Sequence, residues 1–124
     1  MSANFVRSII VPLLAIVLGL QQATSAHAFL DRAEPRVGSK VDKPPESVRM
    51  WFTQQLEPAF SKVEVFNAEG KRVDKKDAHV DSSDRKLLVV SLPPLPPGTY
   101  KVSWRVVSVD THPTKGDFKF VVKP

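Results

Sequence analysis

The chain has 124 residues, 42% of them hydrophobic, which is enough for one domain with a modest core and too few for two. It contains no cysteine, so disulfides, zinc fingers and iron–sulfur clusters are excluded and the fold must close by packing alone. The net charge of +5 is mild, and the bases of Lys40 to Lys43 and Lys71 to Lys86 interleave with Asp42, Asp74, Asp77, Asp81 and Asp84, a mixed-sign solvated pattern that argues against a nucleic-acid partner.

Residues 1–26 read as a secretory signal peptide, with Arg7 as the positive end, an uncharged run from Ser8 to Leu20, and Thr24-Ser25-Ala26 before a cut. The apolar run falls short of the about 20 residues that a membrane span needs, so an uncleaved anchor is the lesser alternative. Cleavage after Ala26 leaves residues 27–124 as an exported domain and makes His27 its first residue. Ala26-His27-Ala28 also fits the small-x-small pattern, and a cut after Ala28 would discard His27. The chemistry set out below favours the cut after Ala26.

Beyond residue 28 period-two alternation dominates and no helical stripe is sustained, so the domain reads as all-β. Val48, Met50 and Phe52 alternate with Arg49 and Trp51; Val63 and Val65 alternate with Glu64 and Phe66 before the turn signal Asn67-Ala68-Glu69-Gly70. Gly70 to Arg85 is polar and reads as a hairpin or long loop, with His79 a solvated loop residue. Leu87 to Leu92 forms a short strand. Pro93-Pro94-Leu95-Pro96-Pro97-Gly98 is a stiff connection, since proline cannot donate to a sheet ladder. In the longest run, Thr99 to Val109, one face holds Tyr100, Val102, Trp104, Val106 and Ser108 and is expected to be buried with Trp104 at its centre. Trp51 and Phe60 are candidates for partial exposure, and Asp117 to Val122 closes the domain. Such strands, separated by turn signals, predict a small antiparallel β-sandwich or barrel with Greek-key connections of the immunoglobulin type.

The candidate chemistry lies in Asp110-Thr111-His112 and in His27. In an extended chain Asp110 and His112 project to the same side, and Pro113 biases His112 towards extended backbone. Taken alone, the pair is ordinarily a turn aspartate and an exposed loop histidine. A terminal His27 changes that weight, because its α-amine and imidazole chelate one ion together. With Asp110 and His112 the set becomes three nitrogens and one oxygen, which suits square-planar Cu(II), and divalent copper tops the affinity order for such ligands. The nitrogen donors must shed protons to bind, so affinity should fall in mild acid. Cu(I) prefers soft donors, and Met50 is the single methionine after the leader, so no Cu(I) site is expected. His79 has no second ligand at a useful spacing.

With these residues in place, the chain resembles the CopC family of exported copper-resistance proteins. His27-Ala28-Phe29-Leu30 followed by Glu34-Pro35 is similar to the family's histidine-led start, and Val48 to Leu56 to its second strand. Pro97-Gly98-Thr99-Tyr100, Trp104 and Ser108-Val109-Asp110-Thr111-His112-Pro113 with Gly116 are similar to its last sheet. The resemblance implies a seven-stranded sandwich in the periplasm that holds one Cu(II) per chain through His27, Asp110 and His112, beside a separate multi-spanning membrane copper transporter. Some members carry a methionine-rich Cu(I) site; only Met50 stands in the corresponding stretch here, so that property is not carried over. The leading expectation is a non-enzymatic Cu(II) carrier or buffer in copper homeostasis or resistance, with no polymer substrate. Two further classes stay open. One is a copper-dependent oxygenase using the same histidine chelate, disfavoured because the Asp110 carboxylate should hold Cu(II) against reduction. The other is a metal-free structural sandwich module.

Overall fold

A computed structural model describes residues 27–124; the expected signal peptide, residues 1–26, lies outside the described residues. The strands are β1 (Leu30–Glu34), β2 (Lys40–Val41), β3 (Ser47–Phe52), β4 (Lys62–Phe66), β5 (His79–Val80), β6 (Leu87–Ser91), β7 (Gly98–Val107) and β8 (Pro113–Val122), with one 3-10 turn at Pro58–Phe60. They form two four-stranded sheets, ordered β1-β3-β6-β5 and β2-β8-β7-β4. Every pairing is antiparallel except β2 with β8. The all-β sandwich expected from the sequence is therefore present, with the two-residue strands β2 and β5 bringing the count among the described residues to eight.

Alternation explains the core. Val48, Met50 and Phe52 of β3 point inward and are buried, whereas Ser47, Arg49 and Trp51 are only partly covered. From the facing sheet Val63, Val65, Tyr100, Val102, Val106, Phe118, Phe120 and Val122 close over them. Trp104 lies on the inward face but is half-buried, edge-on to Phe52 with ring centroids 5.1 Å apart. It is a margin residue of the core, and its expected central place is taken by Val102, Val106 and Phe120. The cause is visible in the register: its cross-strand neighbour is Gly116, where a Cβ would come within 2.6 Å of the indole.

Two connections are pinned by polar contacts. Burial pushes the Tyr100 phenol above its ordinary value, and its hydroxyl donates to the Pro96 carbonyl at 2.6 Å, fixing the proline-rich crossing into β7. The polar stretch after Gly70 is organised by Asp74, whose buried carboxylate accepts from the backbone N–H groups of Val65 and Lys76, each at 2.8 Å, and from Arg72 Nε at 2.9 Å. That stretch was expected to be loop or hairpin; it contributes β5, paired to β6. The closing strand also begins earlier than Asp117, at Pro113, where a proline needs no ladder donor because it is the first residue.

Candidate metal centre

β7 and β8 meet at Val107 and Pro113, and the chain between them turns in a tight hairpin. Thr111 N–H donates to Ser108 O at 2.8 Å and Ser108 N–H to His112 O at 3.2 Å, leaving a three-residue loop of Val109, Asp110 and Thr111. Thr111 has φ +67°, the left-handed residue that such a loop requires. Holding a β-branched residue there costs about 1–2 kcal/mol. This geometry replaces the straight strand end expected from the sequence. Asp110 stands exposed in the loop, while His112 closes the hairpin, its N–H also donating at 3.3 Å to the hydroxyl of the fully buried Ser108.

The first described residues are tied to the same pole. Ala28 is fully buried, and its carbonyl accepts from Thr114 Oγ1 at 2.6 Å across a sequence separation of 86 residues. Phe29 exchanges two bonds with Thr53, its N–H donating to Thr53 Oγ1 and its carbonyl accepting from Thr53 N–H, both at 2.9 Å. The segment after β3 laces the hairpin in turn, with Val109 N–H donating to Gln55 O and Glu57 N–H to Val107 O. As a result the imidazoles of His27 and His112 lie face to edge, with centroids 4.8 Å apart and planes at 69°. His27 is half-exposed and His112 exposed.

Of the three expected ligands, then, the structure brings His27 and His112 together, while Asp110 stands exposed in the loop two residues before His112 and is not gathered with them. No group of three or more His, Cys, Asp or Glu side chains close enough to share an ion is found among the described residues. Met50 is fully buried in the core and has no access to the surface. His79 is exposed on β5, with Nδ1 2.9 Å from the Asp77 carbonyl. Nothing in residue type or spacing points to the residues that set the pair's position, Thr53, Ser108 and Thr114. They are ordinary hydroxyl residues at strand ends, and only the register shows what they hold.

Fold and site together define a class: a small immunoglobulin-like β-sandwich with two imidazoles converging at one pole from opposite ends of the chain. The chain belongs to the CopC family, whose domain matches residues 30–123. It is 36% identical over 120 residues to copper resistance protein C of Xanthomonas campestris pv. juglandis, covering 87% of this chain and 92% of that one. Among solved structures, CopC from Methylosinus trichosporium OB3b is similar with a TM-score of 0.74 at 33% identity, covering 79% of this chain and 95% of that one. PcoC, a methionine-rich copper resistance protein from Escherichia coli, is similar with a TM-score of 0.71 at 33% identity, covering 79% of this chain and 100% of that one.

Proposed function

We propose that this protein is a non-enzymatic periplasmic carrier or buffer of Cu(II), taking one ion per chain at the His27–His112 pole. The observation that carries the reading is the approach of two imidazoles, centroids 4.8 Å apart, from distant parts of the sequence. Bonds from imidazole to a first-row divalent ion such as zinc are about 2.0–2.1 Å long, so one ion can reach both rings. Nitrogen donors without thiolate select copper by its place in the affinity order, and the names of the relatives agree.

In this reading the chain is cut after Ala26, and the freed α-amine of His27 supplies a third nitrogen. A cut after Ala28 would remove a fully buried residue together with the acceptor of Thr114, which argues against it. Asp110, two residues from His112 and exposed in the hairpin loop, is the proposed oxygen donor. A separate membrane copper transporter is the proposed receiver.

Isothermal titration of the exported protein should give one Cu(II) per chain, and His112→Ala should abolish it. Asp110→Ala should weaken binding less, because it leaves both imidazoles in place. Copper should also raise the melting temperature, since only the native form presents the paired site. Unchanged titration of His112→Ala would remove the assignment, and so would an exported chain that begins at Phe29.

A further inference from the structure

The outer face of the β2-β8-β7-β4 sheet carries a charge pattern that the metal reading does not use. Register places Lys62 beside Arg105 and Arg105 beside Lys115, a row of three cations across β4, β7 and β8. Glu64, Ser103 and Asp117 form the next row, followed by Phe66, Lys101 and Lys119; Lys40 joins the same face beside Val121. Directly opposed side chains stand about 4.5–5.5 Å apart at Cβ, where like charges repel. None of Lys62, Arg105 and Lys115 is engaged in an ion pair among the described residues, and Glu64 is already bound by Arg72 at 3.0 Å.

Folding concentrates what the sequence scatters. In strand register this face holds six cations and two carboxylates, and all six cations are exposed; Arg72, bridged to Phe66 at the edge, is paired with Asp74 and so adds one charge of each sign. Arg7 is the single charged residue before His27, so residues 27–124 contain 17 of the 18 Lys and Arg and all 13 Asp and Glu. Subtracting six and two from those totals leaves eleven of each sign. One side of the sandwich therefore accounts for the whole net charge of the domain.

We infer that this face is an electrostatic docking surface for an anionic lipid bilayer. It is a sheet face, and five of its six cations are lysines, flexible point charges that suit a diffuse layer of phosphate headgroups. Protein interfaces are, by contrast, depleted in lysine. Phe60, 61% exposed on the 3-10 turn two residues before Lys62, adds an exposed apolar side chain close in the chain to that row. His112 lies three residues before Lys115, so a sandwich resting on this face would hold the imidazole pole beside the membrane.

The test is flotation of the metal-free exported protein with vesicles of one part phosphatidylglycerol to two parts phosphatidylcholine, and with phosphatidylcholine alone. Binding to the anionic vesicles should be strong at about 0.1 M salt and lost at about 1 M, as the screening length falls from about 10 to about 3 Å. The triple variant Lys62→Glu, Arg105→Glu, Lys115→Glu should lose at least about tenfold in binding, while Lys43→Glu, Lys75→Glu, Lys86→Glu, of identical net charge, should lose less than about twofold. If the face triple does not fold, the corresponding glutamine triple should show the same loss. Equal losses in the two triples would overturn the proposal, as would equal binding to both vesicles or none at about 0.1 M salt, results that would leave the face to an acidic protein or a nucleic acid.

Discussion

Asp74 and Asp110 lie in polar connections between strands, and their surroundings divide them completely. Asp74 is buried and saturated, accepting from two backbone N–H groups and from the Arg72 guanidinium. The Asp110 carboxylate is exposed and has no ion pair or side-chain hydrogen bond among the described residues. A carboxylate whose acceptor capacity is consumed inside the fold has none left for an ion; one left without partners on a rigid hairpin has all of it. The same contrast separates the connection that holds the sandwich together from the pole that can do chemistry.

The largest effect should come from the saturated side. Asp74→Ala removes the anion opposite Arg72 and orphans the N–H groups of Val65 and Lys76, and it should cost stability at the low end of the about 3–5 kcal/mol typical of a broken buried pair. Burial by itself would raise the Asp74 carboxyl, but the bonds from Arg72, Val65 and Lys76 outweigh it and hold the group below its ordinary value. The folded state thus binds fewer protons than the unfolded one. Its contribution is complete above the ordinary carboxylate range, near pH 4, and is lost as pH falls below it. Chemical denaturation at successive pH values should show this acid loss in the wild type and a shallower one in Asp74→Ala. Identical slopes would mean that Asp74 is not what holds its connection.

Next in size is Gly116→Ala, which brings a methyl group within 2.6 Å of Trp104 Cζ2. Overpacking of this kind costs about 1–3 kcal/mol. The indole should shift, changing its fluorescence, and Cu(II) stoichiometry should stay at one because the hairpin end is untouched. Loss of copper binding here would show that the core margin and the metal pole are coupled.

The two regions were unequally legible in the sequence. Period two reveals β3, β4 and β7 because each has one buried face, whereas β6 is a short apolar run buried on both faces, and Asp110 and His112 stand out through residue type and spacing. Strand alternation then misplaced Asp110, since a left-handed Thr111 has no signature in a β-branched residue. Alternation alone puts Trp104 at the centre of the core because its own strand says nothing about Gly116 opposite. The Lys62–Arg105–Lys115 row was invisible for the same reason: cross-strand register creates it from three separate segments. The meeting of His27 with His112 is also a property of register, and it depends on Thr114 and Thr53 as much as on the rings.

Thr114→Val tests that dependence with a smaller change. It keeps the shape of the side chain and removes the donor to the buried Ala28 carbonyl, a loss of about 1 kcal/mol. Stability should fall only by that amount. Copper affinity should fall further than stability, because the segment that carries His27 is released from the hairpin that carries His112. Parallel losses would show that Thr114 serves the fold alone.

The smallest change in stability, and the sharpest test of the unsaturated pole, should come from Thr111→Gly. Glycine relieves a left-handed strain of about 1–2 kcal/mol but surrenders about 0.5–1 kcal/mol in chain entropy, so the variant should be slightly more stable than the wild type. If the strained loop serves to hold Asp110 and His112 in place, the same variant should bind Cu(II) more weakly, because the loop must now be ordered when the ion binds. Opposite signs for stability and affinity would identify the strain as preorganisation. A gain in both would show that Thr111 is a cost of the hairpin with no return at the site.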